Sequence, residues 1–132
     1  MLNKTTQIKV RGFHLDLYNH VNNARYLEFL EEARWNYYED IFEANKQTLD
    51  NKAFVVVNIN INYRYPAFLS DMLNIEITVK SVSSRSITIS QKITCDKHEK
   101  LIVDAEVTFV ITDVKTGKAL PIEGELKTLL AG

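Results

Sequence analysis

The chain has 132 residues, 45% of them hydrophobic and 25% charged, a size and balance that fit a single globular domain spanning 1–132. Sixteen Lys and Arg against seventeen Asp and Glu leave a net charge of −1, which argues against a broad nucleic-acid footprint or a membrane-surface helix. The one cysteine, Cys95, excludes an intrachain disulfide and agrees with a reducing compartment. Met1 to Val10 lacks the apolar run of a secretory signal, and no segment approaches the roughly 20 apolar residues of a membrane span, so the expected location is the cytoplasm.

Gln7 to Val10 reads as a first or edge strand, closed by Arg11-Gly12. A turn-like segment follows in which Asp16, Asn19, Asn22 and Asn23 cluster. From Ala24 to about Ile41, Tyr26, Phe29, Leu30, Ala33, Tyr37 and Ile41 recur at three- and four-residue steps, one face of an α-helix. Asn22 or Asn23 is the expected N-cap, and Glu28, Glu31 and Glu32 are expected to complement the positive end of the helix dipole.

After a loop at Asp50-Asn51 the period changes to two. Val57 to Tyr63 alternates apolar residues with Asn58, Asn60 and Asn62, and Pro66 ends that strand. Leu73, Ile75, Ile77 and Val79 form the next alternating set. Ile87, Ile89, Gln91, Ile93 and Cys95 share one face of a third strand. Leu101, Val103, Ala105, Val107, Phe109 and Ile111 share one face of a fourth. Ser83-Ser84 and Asp96 to Glu99 are short enough for hairpins, Lys115 to Lys118 is another turn, and Glu123 to Leu130 has helical character. The expected architecture is α+β: one long helix covering a face of an antiparallel sheet. A long sheet edge also gives a motive for pairing with a second chain.

The densest set of chemically capable side chains is the segment from Arg11 to Asn23, directly before the helix. A helix start presents unpaired N–H groups and the positive dipole end, which polarise a carbonyl and stabilise the oxyanion formed on attack. Asp16, a few residues upstream, could attack that carbonyl or deprotonate a water, although an Asp before a helix ordinarily closes an Asx turn. His20 carries the same two readings, acid–base group or structural hydrogen-bonder. Asp16, His20 and His14 lack the spacing of a metal site. Cys95, in an apolar alternating series, reads as a packed thiol. The asparagines at 58, 60 and 62 read as a solvated or dimer-facing surface, or as a polar lining beside a ligand.

Leu15 to Phe29, within the longer block Ile8 to Trp35, resembles the signature of the 4-hydroxybenzoyl-CoA thioesterase-like hotdog family. Ala53 to Ala67, followed by Leu69-Ser70-Asp71, is similar to that family's next landmark, and Thr108 to Val110 and Leu120 to Leu126 extend the likeness over nearly the whole chain. Leu17-Tyr18-Asn19 replaces the Ala-Gly-Gly of some relatives, which suits the bacterial long-chain acyl-CoA thioesterase III subgroup better than the aromatic-substrate one. The resemblance implies a hotdog fold, a helix wrapped in an antiparallel sheet. It implies a homodimer or homotetramer with active sites at subunit interfaces, and hydrolysis of a medium- to long-chain acyl-CoA without cofactor or metal. Asp16 falls on the catalytic aspartate, as nucleophile or general base, and Asn23 on the position whose backbone N–H polarises the thioester. His20 and Asn19 would shape the same loop, Arg85 and Ser86 would meet the CoA nucleotide or phosphates, and Tyr26 would line an acyl channel. The alternatives are an acyl-CoA-binding hotdog protein, a hotdog hydratase, and a thioesterase acting on acyl carrier protein.

Overall fold

A computed structural model describes residues 4–131. Strand β1 (Lys4–Lys9) leads through a short 3-10 turn at Gly12–His14 to helix α1 (Asn23–Ala44). Strands β2 (Lys52–Tyr63), β3 (Met72–Val82), β4 (Ile87–Cys95) and β5 (Lys100–Asp113) follow, then a short helix α2 (Gly124–Ala131). All the pairings are antiparallel and the sheet order is β1-β3-β4-β5-β2, so β1 and β2 are its edges. The expected α+β architecture is the one found. No helix among the described residues is long and apolar enough to cross a membrane.

The helix buries the stripe that its period predicted, Tyr26, Phe29, Leu30, Ala33 and Tyr37, against the inward side chains of β3, β4 and β5. Ile41 is only half-buried. Arg34, absent from the apolar pattern, is 5% exposed. Its Nη1 donates to Oε1 of Gln91 at 3.0 Å, and Nε2 of Gln91 donates to the Leu30 carbonyl at 3.0 Å. Burial, foremost, lowers the Arg34 pKa from its ordinary value, against the opposing influence of the neighbouring Tyr38 and Glu31. Gln91 thus belongs to the core face, as its parity predicted, because the helix supplies both of its amide partners.

Three expectations are corrected by local geometry. The first turn of α1 holds no acidic residue. Glu28 lies beyond it and pairs with Arg25 at 2.9 Å, and the dipole's influence fades within the first turn. β2 begins at Lys52, earlier than the alternation at Val57 suggested, because a bulge leaves Val57 between the pairs Val56–Phe109 and Asn58–Thr108. The bulge switches the inward parity from Phe54 and Val56 to Ile61, which hides the strand's period. A second bulge lies in β5, where Ile93 pairs with Val103 but Thr94 with Leu101. Ile102 is therefore the buried extra residue, while Leu101 is 37% exposed and not on the core face.

Each of these two bulges adjoins a point where the sheet grips another part of the chain. The carbonyl of Ile102 accepts both the Arg64 N–H at 2.8 Å and the Tyr65 N–H at 3.2 Å, so the chain leaving β2 is tied to the sheet there. At the opposite end, Phe109 is 1% exposed, with its ring stacked on Phe54 at 5.2 Å and edge-on to Tyr38 at 5.8 Å. Truncating such a ring leaves a cavity between helix and sheet. Phe109→Ala is expected to cost about 3–5 kcal/mol of stability, measured by urea denaturation followed by circular dichroism. A loss under about 1 kcal/mol would mean that the core closes over the gap.

Candidate active site

The segment before α1 is a closed loop rather than an open turn. Leu15 and Val21 form an isolated bridge. Within it the Asp16 N–H donates to the His20 carbonyl at 3.2 Å and the Asn19 N–H to the Asp16 carbonyl at 3.0 Å. Asn19 sits at φ 63, a left-handed conformation that asparagine tolerates well, and this lets the loop reverse over so few residues. Three bonds fasten the loop to the rest: Asn22 N–H to the His14 carbonyl, Val21 N–H to the Ala67 carbonyl, each at 2.9 Å, and Ala67 N–H to the Tyr26 hydroxyl at 3.1 Å.

Asp16 closes an Asx turn and still keeps one carboxylate oxygen uncommitted. Its Oδ1 accepts the Tyr18 N–H at 2.9 Å, which makes the turn. Its Oδ2 has no hydrogen-bond partner among the described residues, and the side chain is half-exposed at a cleft of about 440 Å³. The cleft is lined by Asp16, His20, Asn22, Asn23 and Tyr26 from the loop and α1, and by Tyr63 to Pro66 from the end of β2.

The helix start faces the same cleft. Asn22 is the N-cap, its Oδ1 accepting the Ala24 N–H at 3.0 Å and its carbonyl the Arg25 N–H at 2.9 Å. Asn23 is the first helical residue, and its N–H meets no acceptor among the described residues. Its carbonyl accepts the Tyr63 hydroxyl at 3.2 Å, a bond from the end of β2 that holds the helix start against the opposite wall. Tyr26 lies beneath, 4% exposed, its ring 5.7 Å from that of Tyr63. Burial, above all, raises the Tyr26 pKa, with the Tyr63, Asp71 and Asp16 charges adding to it and the Ala67 N–H opposing, so the hydroxyl stays protonated.

Of the residues expected from sequence, the cleft unites Asp16, His20, Asn23 and Tyr26. His20 stands between Tyr18, ring centroids 6.2 Å apart, and the edge of Phe68 at 6.1 Å. Asn19 shapes the loop from outside the cleft. Arg85 and Ser86 are not brought near: they belong to the β3–β4 turn, where Ser83 Oγ accepts both the Arg85 and Ser86 N–H groups. That turn lies at the far end of the sheet, a strand of 11 residues away from Asp71 and the cleft, roughly 35 Å. Tyr63 and Arg64 carry no role in the sequence reading. The run Tyr63-Arg64-Tyr65-Pro66, breaking the asparagine alternation, was the available signal.

His14 is buried and structural. Its Nδ1 accepts the Arg11 N–H at 2.9 Å, and its ring packs between Phe13 at 4.3 Å and Phe29 at 4.9 Å. Burial lowers its pKa first, the Arg25 and Arg11 charges lower it further, and Glu28 opposes them.

A long helix seated on a five-stranded antiparallel sheet, with a carboxylate in the cleft that its first turn faces, is the arrangement of a hotdog thioesterase. The chain belongs to the Thioesterase-like superfamily, whose pattern matches residues 11–130. It is 56% identical over 125 residues to the long-chain acyl-CoA thioesterase FadM of Escherichia coli K12, covering 95% of each chain. It is 30% identical over 104 residues to the acyl-CoA thioesterase YbgC of Haemophilus influenzae, covering 77% of this chain and 74% of that one. The crystal structure of Escherichia coli YbaW superposes with a TM-score of 0.87 at 56% identity, covering 96% and 95% of the two chains.

The depressed His14 pKa has a consequence for stability. The unfolded chain takes up the proton near the ordinary value of 6.5, before the folded one does. Stability is therefore full above about 6.5 and declines as pH falls from there through the lower folded value. Urea denaturation across that range is expected to show this decline, and His14→Gln is expected to flatten it. An unchanged slope in the variant would assign the decline to other groups.

Proposed function

We propose that the protein hydrolyses long-chain acyl-CoA thioesters to a fatty acid and CoA, with Asp16 as the reacting carboxylate and the Asn23 N–H as the oxyanion donor. The observation that carries this reading is the pairing of two uncommitted groups in one cleft, Asp16 Oδ2 and the Asn23 N–H. A thioester carbonyl accepting from Asn23 lies beside the carboxylate. Asp16 then attacks the carbonyl carbon and the C–S bond breaks to give a mixed anhydride that water cleaves, or Asp16 takes a proton from the attacking water. In either course negative charge grows on the carbonyl oxygen, where the N–H and the helix dipole meet it. His20 and Tyr63 wall the site. The substrate and the unpaired Cys95 thiol both belong in the cytoplasm.

The same reading includes a homodimer formed by pairing β2 edges. An antiparallel two-fold pairing sets the start of the partner's β2 beside Tyr63. The partner's β3–β4 turn arrives at that same end, because Ile87 and Phe109, and Phe109 and Val56, are register neighbours. That supplies the route by which Arg85 and Ser86 of a second copy reach CoA phosphates near Asp16. It also brings up a groove of about 500 Å³ between α1 and β2, whose lining by Trp35, Tyr38, Phe42, Phe54 and Val56 suits an acyl chain.

The test is thiol release from acyl-CoA substrates of increasing chain length. Release is expected to favour long chains, and Asp16→Asn is expected to lose nearly all of it while the fold persists. Asn23→Pro isolates the other partner. Proline is at home in the first helical position, and Asn22, at φ −62 and ψ 136, already has the extended conformation that a following proline requires. The substitution removes the N–H together with the exposed carboxamide, for which Asn23→Ala is the control, and is expected to lower kcat by about 100- to 1000-fold relative to that control. Wild-type turnover in either variant would sink the assignment. Enoyl-CoA hydration, binding without thiol release, or faster release from acyl carrier protein would each replace the proposed activity.

A further inference from the structure

Behind the cleft, at the same end of the sheet, three side chains converge that hydrolysis leaves unused. Asp71, just before β3, is 1% exposed; its Oδ2 accepts the Phe68 N–H at 2.9 Å, and both oxygens lie 3.1 Å from Nε2 of His98. Cys95 closes β4, also 1% exposed, and the turn Asp96–His98 carries His98 back beside it. One ligand atom from each residue lies within 4.8 Å of the others.

An Asp–His ion pair beside a packed thiol accounts for the 3.1 Å contacts, but three features go further. Cys95-Asp96-Lys97-His98 is a Cys-x-x-His run, a short chelating spacing that a tight turn folds onto one point. A charge-assisted N–H to carboxylate bond is typically shorter, about 2.7–2.9 Å. Two atoms that each lie about 2.0–2.1 Å from a tetrahedral zinc ion stand about 3.3–3.4 Å apart, so the 3.1 Å between Nε2 and Oδ1 has to open by only a few tenths of an ångström to admit one. The set of sulfur, imidazole nitrogen and carboxylate oxygen also suits an ion of borderline softness.

We propose that Asp71, Cys95 and His98 bind a divalent ion of the zinc class, with a fourth position open to water on the half-exposed His98 side. Oδ1 of Asp71 ligates while Oδ2 keeps the Phe68 N–H. His98 binds through Nε2 as the neutral ring, and the Cys95 thiol yields its proton to solvent as its sulfur moves inward, so affinity rises with pH. Such an ion ties the β4–β5 turn to the segment that walls the cleft, since the Phe68 ring lies 5.9 Å from His98 and 6.1 Å from His20.

The test uses the full chain, stripped with a chelator and titrated with zinc against a chromophoric chelator, then with cobalt(II) followed by absorption. One equivalent per chain is expected, with a thiolate-to-cobalt charge-transfer band that Cys95→Ser abolishes. Cys95→Ser and His98→Gln, checked for folding by circular dichroism, are each expected to weaken zinc binding by about tenfold or more. They should also cancel the rise in melting temperature that zinc gives the parent protein. Absence of stoichiometric binding, or binding that survives both substitutions, overturns the proposal and leaves an ion pair with a packed thiol.

Discussion

The geometry of the site depends on how the first turn of α1 satisfies its backbone. A helix start leaves four N–H groups without intrahelical partners, here those of Asn22 to Arg25. The His14 carbonyl takes the first, the Asn22 side chain the third and the Asn22 carbonyl the fourth. Only Asn23 is left over, so the positive end of a 22-residue helix is directed through a single donor. Had the cap been weaker, several donors would compete for a substrate oxygen or recruit water. The loop that carries Asp16 exists in the same accounting, because the bond from Asn22 to His14 also closes it.

Holding that donor in place requires the helix to be fixed in azimuth as well as depth. Apolar packing of Phe29, Leu30 and Ala33 is non-directional and tolerates small rotations. The Arg34–Gln91–Leu30 chain of hydrogen bonds does not, since each bond weakens steeply with misalignment. Desolvating a guanidinium with a neutral partner costs several kcal/mol, so this arrangement is no source of stability. Its effect is to admit one helix orientation, and Tyr63 and Ala67 fix the same orientation from the cleft side.

What the sequence disclosed and what it hid divide along a physical line. Elements with a clean period were legible: the α1 stripe, the core faces of β3 and β4, the hairpin turns, and the cap at Asn22. The resemblance carried by Leu15 to Phe29 supplied what period cannot, a reason to prefer Asp16 over any other turn carboxylate. The failures fall where a single residue breaks the period. The bulge at Val57 concealed the first half of β2, and the bulge at Ile102 put Leu101 on the wrong face. Arg34 escaped notice because a cation on an apolar face is read as an interruption. Tyr63 and Arg64 were missed because their roles rest on long-range bonds, the Tyr63 hydroxyl to the Asn23 carbonyl and the Arg64 N–H to the Ile102 carbonyl, which a local break in alternation marks but does not explain.

The two sheet edges differ in a way that bears on the assembly. β1 has 6 residues and is flanked by Lys4 and Lys9, a short charged edge of the kind that resists further pairing. β2 has 12 residues, exposes Val55, Val57 and Ile59, and turns its Asn58, Asn60 and Asn62 face away from the core. A long, partly apolar edge is a liability unless something covers it, and a second copy covers it with the same surface in reverse. Antiparallel pairing then joins opposite ends of two sheets. Within one chain Asp16, the proposed reacting carboxylate, and the Arg85 turn are separated by the length of β3, so on that proposal neither end alone holds both halves of a long thioester. On the proposed dimer, the edge that the fold leaves unsatisfied and the half of the site that the chain leaves distant are answered by one contact.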